Sequence, residues 1–375
     1  MIKRAPSLLL TAVLLLMATP SHAYYYRTCD GHKIDWQSNT KGMRGHSISF
    51  EQDAMHDALD VEVIRINFNP SKFRFNHSFG DTSVGFENGH NEIWFTTSQD
   101  YLDDRPGVTR TLYKCTTFKS EILETDILLQ GDFSKVDWTF SDDRPSLSAY
   151  GGDNRALRAT IMHELGHAVG LLHTIETYGV MGNSKRHSNT NGSKARVYFG
   201  EDASSGAVKL YGTSSSDIED VGVAHWKFVQ AGQDPKTDYS LHDRTKIFTL
   251  ADDEIEEGQT KNGEFHFEVE KGQSIQVEFT YENNGKSELG VDVGFYLSGN
   301  NSITTGDLLL RTRHLTLTRN AAHTSKTTVE IPAWIPSGLY FVGAVTDYNN
   351  QIQETTFNNN TAYIGIKVLK DDDMF

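Results

Sequence analysis

The residues best suited to chemistry lie in one run, His163-Glu164-Leu165-Gly166-His167-Ala168-Val169-Gly170-Leu171-Leu172-His173. On an α-helix, positions four apart share a face, so the imidazoles of His163 and His167 can hold one metal ion between them. Imidazole nitrogen suits zinc, and three protein ligands leave a fourth position for water. Glu164 adjoins a ligand, where a general base for that water has to sit. Gly170 can take a left-handed conformation that ends the helix sharply. The turn then brings His173 round as the third ligand, out of helical register with the other two. Three histidines packed into an apolar helix for structure alone would leave several polar nitrogens to satisfy. Zinc held there would lower the pKa of a bound water toward about 7 and polarise a scissile carbonyl, with Glu164 passing the proton to the leaving amine.

Elements on either side must position this run. Ser49-x-x-Gln52 reads as a capping box opening a helix through Ala54, Met55, Ala58 and Leu59. Strand-like runs follow at 72–75, 92–97 and 125–129. Asp153 suits the N-cap of the histidine helix, whose Leu157, Ile161, Leu165 and Leu172 recur at helical spacing. A Gly/Ser/Asn-rich loop is expected over 182–193, and a helix over 201–211 that stops at Gly212. Ser216-x-x-Glu219 predicts one more helix toward Phe228. Beyond about Gln230 helical periodicity ends. Short alternating strands take over at 264–269, 274–281, 290–297, 327–331, 338–346 and 362–368, the pattern of an antiparallel sandwich.

The chain has 375 residues, a formal net charge of -15 and only 2 cysteines. That length suggests two globular domains. The acidic balance leaves nothing to neutralise phosphates, so nucleic acid and anionic membrane surfaces are not expected partners. Lys3 and Arg4, an apolar run from Leu8 to Met17 and the small-x-small site Ser21-His22-Ala23 read as a secretory signal peptide, cut after Ala23. The mature protein is then exported, extracellular or periplasmic, with Cys29 and Cys115 as a disulfide candidate. Exposed acidic pieces such as 251–254 leave Ca2+ conceivable but without a motif behind it.

The histidine run resembles the metzincin signature, and Met181, eight residues past His173, resembles the methionine of the Met-turn at matrixin-like spacing. The resemblance implies a zinc endopeptidase in which Met181 lies beneath the histidines as an apolar floor. Glu124–Leu129 is similar to the matrixin strand that precedes the zinc helix, and Glu201–Gly212 to the C-terminal matrixin helix. Gly182-Asn183 replaces the usual Tyr-Pro after the methionine, and Thr174 the usual Ser after the third histidine. The same resemblance raises an alternative for Cys29, in Arg27-Thr28-Cys29-Asp30-Gly31, as a zinc-blocking cysteine.

The later strands resemble CARDB, a family of bacterial cell-adhesion-related, immunoglobulin-like domains. The likeness rests on 277–285, Phe295-Tyr296-Leu297-Ser298, 338–347, Glu354 and Asn358-Asn359-Asn360-Thr361. It implies a sandwich that binds a surface protein or carbohydrate, or serves as a spacer.

The resulting expectation is an α+β metzincin-type catalytic domain, a mixed sheet with a zinc-binding helix, followed by an all-β immunoglobulin-like sandwich. Its boundaries are signal peptide 1–23, peptidase 24–212, helix and linker 213–245, sandwich 246–370 and acidic tail 371–375. The expected activity is secreted, zinc-dependent endopeptidase cleavage of a protein or peptide lying as an extended strand along a sheet edge. The alternative is an exported adhesion or surface-binding protein with a vestigial metal site.

Overall fold

Two separate apolar clusters organise the chain, one around the histidine helix and one inside a β-sandwich. The computed structural model describes residues 24–50, 52–174, 179–182, 188–228, 244–256, 258, 264–319 and 321–370. The proposed signal peptide over 1–23 and the acidic tail over 371–375 fall outside them.

The N-terminal part runs β1 (Thr40–His46), α1 (Asp53–Ile66), β2 (Arg74–Asp81), β3 (Glu92–Thr96), β4 (Gly107–Cys115), β5 (Ser120–Gln130) and α2 (Leu157–Val169). The strands form one sheet in the order β2-β1-β3-β5-β4. All neighbours are parallel except β4, which runs antiparallel to β5 on the edge. The parallel step from β1 to β2 needs a crossover, and α1 supplies it. Between Glu124 and Gln130, β5 is continuously buried, as expected of a strand covered on both faces. Leu59, Val63 and Ile66 of α1 join Ile161 and Leu165 of α2 and Ile127 and Leu129 of β5 in one core. Among the described residues no helix is long and apolar enough to cross a membrane.

A hairpin of β6 (Asn189–Asn191) and β7 (Lys194–Arg196), turning at Gly192, precedes α3 (Gly200–Tyr211). The remaining strands are β8 (Val221–Ala224), β9 (Ile247–Phe248), β10 (His266–Val269), β11 (Ser274–Asn283), β12 (Leu289–Ser298), β13 (Leu308–Leu317), β14 (Ala321–Glu330), β15 (Gly338–Thr346) and β16 (Thr361–Val368). In one sheet β11 pairs with β8 and β9 along one edge and β14 along the other. The second sheet has the order β10-β16-β15-β12-β13. Inward residues such as Val277, Phe279, Val293, Phe295 and Ile366 fill the space between them.

Several local expectations are corrected. Ser49 does not cap α1: Gln52 holds the N-cap position without a side-chain bond. The Ser49 hydroxyl instead accepts the Phe95 N–H of β3 at 3.1 Å. Asp153 does not cap α2, because Arg155 and Ala156 first run as a short strand beside Trp138 and Thr139. The helix expected after Ser216 is absent among the described residues. Val221–Ala224 forms β8 instead and pairs with Thr280–Asn283 of β11, so the stretch expected as helix and linker over 213–245 carries a sandwich strand. Part of the loop expected over 182–193 is the β6–β7 hairpin, and residues 183–187 of it lie outside the described residues. Strand β13 was not anticipated. Its sequence, Leu-Leu-Leu-Arg-Thr-Arg-His-Leu-Thr-Leu, is largely exposed and carries little alternation until its end.

Candidate metal centre

α2 carries the first two histidines, and a set of polar caps ends it. Gly170 takes φ +111°, and its N–H donates to the His167 carbonyl at 2.9 Å. Only glycine enters that region without strain. The last carbonyls, which no further turn can satisfy, find outside donors. The Trp36 indole N–H donates to the Ala168 carbonyl at 2.8 Å, and the Tyr211 hydroxyl donates to that of Val169.

The chain then leaves as the short strand Leu171–Leu172, paired antiparallel with Tyr25–Tyr26. That pairing fixes the segment carrying His173. It gives the N-terminal tyrosines a structural role that sequence reasoning missed, since a two-residue strand has no periodicity to read. A second closure follows, in which the Thr174 N–H donates to the Met181 carbonyl at 3.1 Å.

The three imidazoles converge. Ring centroids are 4.7 Å apart for His163 and His167, 4.9 Å for His163 and His173, and 4.7 Å for His167 and His173. One nitrogen from each lies within 4.8 Å of the others. The Nδ1–H of His163 donates to the Val180 carbonyl at 2.7 Å, and that of His167 to the Leu171 carbonyl at 2.8 Å. A carbonyl can only accept, so the proton sits on Nδ1 and the Nε2 lone pair of each ring is left for a metal. The Nε2 atoms of His163 and His173 lie 3.0 Å apart, close to the ~3.3 Å edge of a tetrahedron with zinc–nitrogen bonds of ~2.0–2.1 Å. His163 is buried, His167 half-buried and His173 exposed, so the open side of the triad faces solvent. The donor set therefore fits zinc.

Met181 is buried. Its sulfur lies over the Cα of Gly166, where a Cβ would collide with it. Gly166 therefore admits the methionine, a contact that spacing alone does not reveal.

Glu164 is buried and lines the same cleft as His167 and His173, a cavity of about 430 Å³. The Thr109 hydroxyl of β4 lies 2.9 Å from Glu164 Oε2 and 3.0 Å from the Glu164 carbonyl. Gly107 leaves room for the carboxylate, since a Cβ there would stand 3.0 Å from Oε1 and 2.8 Å from the Thr160 methyl. Thr109 and Gly107 are the positioning residues that sequence reasoning missed. They lie 55 or more residues upstream and meet Glu164 only through the sheet. Cys29 and Cys115 are joined as a disulfide across a separation of 86 residues, which leaves no Cys29 thiolate to reach the histidines.

Comparison with known proteins bears on the sandwich. The CARDB family model matches residues 252–363. Residues 252–363 form a CARDB domain. Among solved structures, the chain is similar to the CARDB domain of the PF1109 protein from Pyrococcus furiosus, described as in complex with di-metal ions. That match has 20% identity, covers 27% of this chain and 79% of the other, and has a TM-score of 0.22. A solution structure of the same domain gives 15% identity, 41% and 98% coverage and a TM-score of 0.25. A β-glucosidase from Listeria innocua gives 14% identity, 28% and 15% coverage and a TM-score of 0.20. No curated protein matches the chain.

The CARDB domain docks against segments on both sides of the histidine helix. Asn191 Nδ2 donates to the Ile303 carbonyl at 3.0 Å, and the Ile303 N–H returns to Asn191 Oδ1 at 2.7 Å. Buried Arg144 pairs with Glu264, which also accepts the Tyr363 hydroxyl at 2.8 Å. Leu147, Tyr150 and Ala195 pack with Ala224 and Trp226, which precede the matched residues and join the sandwich through β8.

Proposed function

We propose that the chain is a secreted zinc-dependent endopeptidase of metzincin type carrying a C-terminal CARDB domain. The observation that carries this reading is the convergence of His163, His167 and His173, the last two lining one open cleft with Glu164. The mixed sheet with the histidine helix packed against it agrees with what the metzincin resemblance implies. His163, His167 and His173 would hold the zinc, and Met181 and Gly170 shape the floor and the turn beneath it. Zinc, when bound, supplies Lewis acidity toward a peptide carbonyl and lowers the pKa of water.

The chain's own groups do the rest. Glu164, anchored through one oxygen by Thr109, takes the proton of the attacking water and returns it to the leaving amine. The substrate lies along β4, an edge strand whose residues Gly107, Val108 and Thr109 line the cleft. Main-chain pairing there presents the scissile bond to Glu164 independently of side-chain identity.

The test is casein hydrolysis by the purified full-length protein, with and without a zinc chelator, alongside Glu164→Ala. The expected result is cleavage that chelator abolishes, and a variant that keeps stoichiometric zinc yet loses at least a hundredfold in rate. Undiminished turnover by Glu164→Ala would refute the role of that residue. Absence of any chelator-sensitive cleavage would favour an exported surface-binding protein instead.

A further inference from the structure

We infer that the cleft selects acidic peptides; this rests on the endopeptidase reading and names the substrate class of the same site. Among the described residues, the charged side chains lining the cavity are Arg27, Arg105 and Arg155, with the carboxylate of Glu164. The whole chain, by contrast, carries a formal net charge of -15. A cationic lining on so acidic a protein is a local reversal of sign. It attracts anions that the rest of the surface repels.

The arginines are spread along the path of the substrate. Arg105 stands two residues before the start of β4. The guanidinium of Arg27 lies 5.6 Å from the Tyr113 ring, toward the far end of the same strand. Thr109, which holds Glu164, stands midway between them. At ~3.3 Å per residue, each arginine lies about four residues, or ~13 Å, from the catalytic carboxylate along the strand. Arg155 lies nearer the centre, with its Nε–H 3.4 Å from the Thr160 hydroxyl one helical turn before Glu164.

Arg155 also lines the adjoining cavity of about 170 Å³, as does Thr160. Arg27 is exposed and has no carboxylate within ion-pair distance among the described residues. Arg105 faces Asp103 at 3.1 Å, but both are exposed and the pair is readily exchanged for a substrate carboxylate. The expected substrate carries Asp or Glu three or four residues to either side of the scissile bond.

Binding separates this inference from the activity. Zinc-loaded full-length Glu164→Gln would be titrated with fluorescent ten-residue peptides sharing a neutral centre and differing only in flanking Glu, Gln or Lys. The Glu peptide should bind at least tenfold tighter than the Gln peptide and lose that advantage in 1 M salt, where the Debye length falls to about 3 Å. Arg27→Gln and Arg105→Gln, both at exposed positions, should each weaken it several-fold without lowering the melting temperature. Equal affinities, or preference for Lys, would overturn the inference. Chelator-sensitive cleavage of the neutral peptide by the wild type in that case would leave the endopeptidase reading standing. Retained Glu-peptide preference with no cleavage of any peptide would do the reverse.

Discussion

At the residue scale, the account turns on how two protons are placed. The Val180 and Leu171 carbonyls hold protons on Nδ1 of His163 and His167, and the Thr109 hydroxyl steadies Glu164. The histidines and the glutamate were legible in the sequence because their spacing is local and a helix turns spacing into geometry. Thr109, Gly107 and Gly166 were not, because what they touch comes from elsewhere in the chain. Thr109→Val keeps the volume and removes the hydroxyl, at a cost of about 1 kcal/mol. The expected result is a kcat/KM lowered about fivefold with zinc affinity unchanged, measured by steady-state cleavage and metal titration. An unaltered kcat/KM would mean that the hydroxyl does not position Glu164.

At the element scale, the sequence identified the type of most long elements and misplaced their ends. Capping boxes at Ser49 and Ser216 and the N-cap at Asp153 all failed for a similar reason. The Ser49 hydroxyl bonds Phe95 of β3, and the stretches after Ser216 and Asp153 pair as strands with β11 and with Trp138–Thr139. Val221–Ala224 is the clearest case, since its Val-Gly-Val-Ala sequence becomes a strand by pairing with β11 about 60 residues later. The disulfide belongs to this scale as well. It ties Cys29 of an N-terminal hairpin to Cys115 at the end of edge strand β4, which the hydrogen bonds of β5 hold from one side only. Replacing both cysteines by serine should cost about 4 kcal/mol for a loop of this length. Urea unfolding would read that as a lower midpoint, and an unchanged midpoint would show the tether to be dispensable.

At the scale of the whole molecule, the CARDB domain is not held at a distance on a free linker. β8 enters the sandwich within nine residues of Gly212, and Asn191, Arg144 and Trp226 meet across the boundary. Each half also holds buried or half-buried carboxyls that resist ionisation. Burial, with Glu124 beside it, pushes Asp126 up to about 8. Burial alone is the largest influence on Asp220, raised to about 7, and on Glu354, raised to about 8. Between about pH 4 and 8 these groups keep protons in the folded chain that the unfolded chain releases, so the folded state binds more protons. Stability should therefore fall as pH rises through that range. Melting temperatures of the zinc-free protein, taken from pH 5 to pH 8, should decline steadily. A rise over the same interval would contradict the protonated state assigned to these carboxyls.

The most direct measurement is anomalous diffraction at the zinc edge from crystals of the full-length protein grown with zinc. The account predicts one strong peak ~2.0–2.1 Å from the Nε2 atoms of His163, His167 and His173, with Glu164 facing it but not bound. A peak elsewhere, or His173 turned away from the metal, would contradict it.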